Sequence, residues 1–205
     1  MKADHRLYKL RFLLTDTAAT AKVAASLAPC LPSGTVLTLD GDLGAGKTTF
    51  VRSLAEAMDL PTDAVSSPTF TIVQEYEALD PEKPSLYHFD VYRLETAAAF
   101  GELGLDEYFH KPGVSLIEWA ANIREALPAE FLELNFAVAD GAAEDAWLAA
   151  LQTGGGGQLV LAEDNRARVL TFTAHGEQSA AIVRKWQESP AFPGELAVQA
   201  PTIEE

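Results

Sequence analysis

Apolar positions along this chain recur with two periods, and the two alternate in an order that predicts an α/β protein. LYKLRFLLT, residues 7–15, alternates enough to form a strand. DTAATAKVAASLAPCLPSG follows with an Ala-rich 3.6-residue pattern, capped at Asp16 or Thr17 and stopped by Pro32 and Gly34. VLTLD is a short strand, GDLGAGKT a Gly-rich loop, and TTFVRSLAEAM a helix whose Phe50, Leu54 and Met58 recur every four positions. VSSPTFTIVQEYEAL and SLYHFDVYRL predict two strands that pair as an antiparallel hairpin across LDPEKP. Short helices over ETAAAFGELGLDEYFHKPG come next, interrupted at Gly101 and Gly104, then a buried-type strand VSLIEWA and a short helix ANIREALP. FLELNFAVAD and ARVLTFTAHG are the last strands of the pattern, and GEQSAAIVRKWQE is its closing helix. Between those strands the run of four glycines marks 140–165 as a flexible insertion with a helical turn near Trp147. The acidic, Pro-containing stretch from Ser189 has no steady period and is expected to be disordered.

Length and composition bound this picture. With 205 residues and 48% hydrophobic content the chain suits one domain, placed at 1–187, ahead of an acidic tail at 188–205. Thirty acidic against 15 basic residues give a net charge of −15, which opposes unaided binding to nucleic acid or an anionic membrane. The single cysteine, Cys30, excludes an intramolecular disulfide and a cysteine metal cluster, and fits a reducing compartment such as the cytoplasm. No run approaches the roughly 20 apolar residues that spanning a bilayer requires, and the N-terminus lacks a signal-peptide core. His110 and His175 have no second ligand in view and read as structural, so no zinc site is expected.

Candidate chemistry concentrates in the Gly-rich loop. Gly41, Gly46, Lys47 and Thr48 fit G-x-x-x-x-G-K-[ST] between a strand and a helix, the context in which backbone N–H groups curl around phosphate oxygens. Asp42, Leu43, Gly44, Ala45 and Thr49 complete the cradle. Lys47 suits β and γ phosphates, and the Thr48 hydroxyl suits Mg²⁺. A metal also needs a carboxylate, and two strand-end acids are available: Asp90 ends YHFD and Glu118 ends VSLIE, both at the carboxyl ends where an open, mainly parallel sheet presents its ligand crevice. Which of them meets the metal directly stays open. Trp119 suits stacking on a base, docking of a partner, or core packing. The sequence has no Asn-Lys-x-Asp or Thr-Lys-x-Asp guanine reader, which favours ATP over GTP. Ser66, Ser67, Pro68 and Thr69 stand where many nucleoside triphosphatases place a mobile segment whose hydroxyl senses Mg²⁺ and the γ phosphate.

In their order, GDLGAGKTTFVRSLA, SSPTFTIVQEY, YHFDVYRL, LGLDEYF, VSLIEWA and LTFTAHG, spanning 41 to about 176, resemble the TsaE family, formerly YjeE. Its members are small P-loop ATPases of bacterial tRNA threonylcarbamoyladenosine synthesis. The resemblance implies a P-loop NTPase-like fold, ATP and Mg²⁺ as cofactors, and TsaB and TsaD as partners, through which tRNA is reached indirectly. It implies that Lys47 and Thr48 handle phosphate and metal, that Ser67 to Thr69 form a switch-like segment, that Asp90 and Glu118 are the functional acids, and that Trp119 lies by the nucleotide. Arg93 in DVYRL is the nearest arginine for stabilising charge in cis, or else a salt-bridge partner that orients an acid. A small-molecule kinase is the alternative, but between 94 and 130 the only arginine is Arg124, which argues against an arginine-rich lid. A module that binds nucleotide without needing hydrolysis is a third reading.

Overall fold

A computed structural model of the chain describes residues 7–61, 68, 71–139 and 167–204. Where alternation is strong, strands form as expected: β1 (Leu7–Leu14), β2 (Val36–Gly41), β4 (Ser85–Asp90), β5 (Gly113–Glu118), β6 (Phe131–Val138) and β7 (Arg168–His175). The helical periods give α1 (Thr17–Leu27), α2 (Lys47–Ala57), α3 (Ala97–Glu102) and α4 (Glu177–Gln187). Asp16 is the N-cap of α1, its Oδ1 accepting from the Ala19 N–H at 2.7 Å. The predicted helix after β5 is a 3-10 segment, Ala120–Ala126, as is Leu105–His110.

Strand β3 (Val73–Tyr76) is much shorter than its apolar run. Before it, Pro68 accepts from the N–H groups of Thr71 and Ile72, and Ile72 sits at φ +66, so the chain turns where alternation alone reads as strand. Beyond that turn β3 and β4 form the expected antiparallel hairpin, with Val73 opposite Phe89.

One sheet holds the eight strands of the described residues in the order β3-β4-β5-β2-β6-β7-β1-β8, with β8 at Ala197–Glu204. The parallel character lies in its centre, where β4, β5, β2 and β6 run together; both flanks are antiparallel. Side-chain alternation splits the core into two layers. Leu37, Leu39 and Leu116 face α1, α2 and α4 through Val23, Phe50, Leu54 and Trp186. Val36, Phe89 and Ile117 face Phe100 of α3 and Ile123 of the 3-10 segment.

The C-terminal stretch corrects the expectation of a disordered tail and of a domain closing at 187. Phe192 packs on Phe12 and Trp186 at ring separations of 5.8 and 5.3 Å, and β8 pairs antiparallel with β1 through register shifts near Arg11. Pro201 removed the strand signal, yet an edge strand tolerates proline because one side of its backbone has no ladder to join. The expected flexible insertion at 140–165, with Trp147, lies outside the described residues.

Candidate nucleotide site

The loop between β2 and α2 is set by backbone geometry. Gly41 sits at φ +138, and a Cβ there would lie 2.3 Å from the Phe136 carbonyl oxygen of neighbouring β6, so the strand can leave the sheet only as glycine. Gly46 is the N-cap of α2 at φ +105 with no side-chain cap. The first N–H groups of α2 therefore stay directed at the loop cavity, where the helix dipole favours an anion.

Lys47 is buried, 4% exposed, and its Nζ donates to the carbonyls of Gly41 at 2.7 Å and Asp42 at 2.9 Å. The same ammonium stands 3.9 Å from the centroid of the Trp119 ring. Burial pushes the Lys47 pKa down, while the nearby charges of Glu118, Asp40, Asp90 and Asp42 pull it back up.

The parallel pairing of β4 with β5 puts Asp90 directly opposite Glu118, and β2 with β5 puts Leu39 opposite Glu118. Both expected acids thus meet at the carboxyl ends of adjacent strands, beside the loop that leaves β2. Glu118 Oε1 accepts from the Thr48 hydroxyl at 2.9 Å and lies 2.9 Å from His88 Nε2. Asp90 Oδ1 accepts from the Tyr92 N–H at 3.2 Å. Trp119 takes left-handed backbone at φ +66, a cost of about 1–3 kcal/mol for a bulky residue. Its N–H bonds the Leu39 carbonyl at 3.1 Å and its ring meets Tyr92 edge to face at 5.4 Å.

These groups line one cavity of about 530 Å³: Leu43 to Thr49 along the loop, then Asp90, Tyr92, Glu118 and Trp119. Asp42 reaches it through its carbonyl on Lys47. Of the switch-like segment, Pro68 is buried, while Ser67 and Thr69 lie outside the described residues. Arg93 is exposed and does not line the cavity.

Two participants were not evident from sequence. His88 hides inside the apolar alternation of YHFD, yet its i, i+2 spacing from Asp90 places both on one face of β4; that spacing was the available signal. Tyr92, 65% exposed, lies two residues past the strand end, where no pattern marks it.

The donor set suits a polyphosphate with a divalent cation. The α2 N–H groups and Lys47 would hold phosphate oxygens, yet Asp90 and Glu118 are buried carboxylates in the same cavity and would repel them. A cation between the two charges resolves this. Among the described residues no three His, Cys, Asp or Glu side chains converge on a metal-sized site. Mg²⁺ would therefore rest on Thr48, one or both acids and the phosphates themselves, the sparse protein coordination usual for that ion.

A strand–glycine loop–helix cradle at the carboxyl ends of central parallel strands defines a P-loop NTPase-like α/β protein. The family model for threonylcarbamoyl adenosine biosynthesis protein TsaE matches residues 14–145, more than half of the chain, and the chain belongs to that family. The Bacillus subtilis protein called tRNA threonylcarbamoyladenosine biosynthesis protein TsaE is 53% identical over 119 residues, covering 58% of this chain and 70% of that one. The Rickettsia conorii protein of the same name is 30% identical over 182 residues, 88% of this chain and 89% of its own length. The crystal structure of Bacillus subtilis YdiB superposes with a TM-score of 0.64 at 34% identity, covering 90% of this chain and 97% of that chain.

Proposed function

We propose that the chain binds and hydrolyses ATP with Mg²⁺ as an accessory subunit in forming N6-threonylcarbamoyladenosine at position 37 of tRNA. It acts in the cytoplasm with TsaB and TsaD and supports their multiple turnover. The names borne by the relatives support the pathway, and the meeting of Thr48 with Glu118 at 2.9 Å carries the chemistry. That contact joins the helix that would bind phosphate to the strand end that would bind metal or water. The Mg²⁺ ion supplies charge neutralisation at the phosphates when bound. The α2 N–H groups and Lys47 hold the phosphate oxygens, Trp119 walls the cavity, and Glu118 orients the attacking water by accepting its proton.

The kinase reading finds no support at Arg124, which donates to Glu133 at 3.1 Å and does not line the cavity. Arginine over the phosphates is left to Arg93 or to a partner, in keeping with slow hydrolysis by the chain alone.

The test is ATP hydrolysis by wild type and Glu118→Ala, alone and with TsaB, TsaD and tRNA, scoring phosphate release and repeated rounds of modification. Partner-stimulated release should fall about 10²-fold or more in Glu118→Ala, and multiple turnover should be lost with it. Partners and tRNA leaving hydrolysis and turnover unchanged would reject the pathway role; phosphoryl transfer to an added metabolite would favour the kinase.

A further inference from the structure

Along SLYHFD the strand period puts Leu86, His88 and Asp90 on the α2 face of the sheet, amid apolar neighbours. His88 is 0% exposed, and its Nδ1 has no hydrogen-bond partner among the described residues. Burying an imidazole with one nitrogen unsatisfied is costly, and an apolar side chain would fill the slot without that cost. What the ring adds is a polar contact, Nε2 to Glu118 Oε1 at 2.9 Å. Toward an ionised carboxylate, which only accepts, Nε2 would be the donor of this bond.

Glu118 Oε1 then receives two donors, the His88 N–H and the Thr48 hydroxyl, each at 2.9 Å. The terminal torsion of a glutamate is soft, and a second donor from a rigid strand turns one broad rotational well into a defined orientation. With Oε1 engaged twice, Oε2 is the oxygen left to act in the cavity that Glu118 lines. His88 itself does not line that cavity.

We propose that His88 is a positioning residue, which aims the Glu118 carboxylate by bonding its Oε1 from beneath the site. The proposal rests on the reading of this site as ATP-hydrolysing. It separates binding from turnover: His88 is not among the residues that line the cavity, so losing the donor should slow hydrolysis and leave ATP affinity unchanged.

The experiment compares wild type, His88→Leu, His88→Gln and His88→Asn for ATP affinity by calorimetry, kcat for phosphate release, and melting temperature. Glutamine carries an N–H about as far from its backbone as Nε2, whereas the asparagine amide stops one bond short. His88→Leu should lose about 10- to 100-fold in kcat at unchanged ATP affinity, and His88→Gln should regain most of it. If the leucine variant fails to fold, His88→Asn takes its place as the donor-deficient form. Nitrogen-15 NMR of the nucleotide-free protein should find the His88 proton on Nε2. Wild-type kcat in the donor-deficient variant, a glutamine variant no better than it, or a proton on Nδ1 alone overturns the positioning role while the ATPase reading stands. Wild type releasing no phosphate under any condition rejects the ATPase reading, and this role falls with it.

Discussion

Behind the phosphate loop, on the opposite face of β2 from Leu37 and Leu39, single residues carry charges of opposing consequence. The Glu133 carboxyl is held below its usual pKa, first by its bond to His175 Nε2 at 2.7 Å and also by Arg124 at 3.1 Å, with burial opposing. Asp40 is pushed above its usual value, first by burial and then by the Glu133 charge, although the Ala121 N–H and Lys47 pull the other way. The two therefore act on stability with opposite sign. A depressed Glu133 contributes stability that is present above its unfolded value near 4.5 and lost as pH falls through its folded value. A raised Asp40 contributes stability that is full below its unfolded value near 3.8 and lost as pH rises through its folded value. Melting curves of Glu133→Gln and Asp40→Asn across pH 3–8 should show it. At neutral pH the first should lower the melting temperature by roughly 2–4 °C, about 1 kcal/mol, with a shallower acid limb. The second should raise the neutral-pH melting temperature, with the gain vanishing toward pH 3; a gain independent of pH would reject the account.

Elements were legible where a period persisted, and the site was legible where a motif fixed residue types. The loop before α2 could be read because phosphate binding demands glycines, lysine and threonine at set spacing, and Asp90 and Glu118 because strand ends in a parallel sheet converge. His88 escaped because its partner lies 30 positions away and only the β4–β5 register brings them together. The turn at Ile72 escaped because a β-branched residue at φ +66 contradicts every local preference; its carbonyl accepts from the Asp90 N–H at 2.9 Å, so tertiary pairing decides it. Strand β8 escaped for the same reason, since its pairing with β1 is long-range and its sequence contains proline. This gives a prediction at the level of the element. Four strand spacings, about 19 Å, separate β8 from β2, so deleting 197–205 should spare ATP hydrolysis at low temperature. It should nonetheless expose the edge of LYKLRFLL, lower the melting temperature and promote association visible by light scattering. An unchanged melting temperature would mean that β8 contributes nothing to the fold.

On the scale of the whole molecule, charge decides what the protein meets unaided. The chain carries −15, and among the described residues five of its surface cations are held in ion pairs. Lys22 pairs with Glu195, Lys83 with Asp59, Lys111 with Glu75, Arg124 with Glu133 and Arg184 with Glu177. Each exposed pair adds little stability, but together they disperse positive charge that a nucleic-acid site would have to gather on one face. Lys47 lies inside the cavity beside the Gly-rich loop, under the charges of Glu118, Asp40, Asp90 and Asp42. Affinity for a phosphate backbone comes from releasing counterions to basic residues, so this surface should supply almost none. Labelled tRNA titrated with the isolated chain at about 0.15 M salt should show no binding tighter than about 10⁻⁴ M by fluorescence anisotropy, the weak end of non-specific affinity. The same tRNA should bind once TsaB and TsaD are present, because the basic surface must then be theirs. Tight, salt-sensitive binding by the chain alone would place the tRNA contact on this subunit, and the division of labour between an ATP-using acidic subunit and tRNA-holding partners would have to be abandoned.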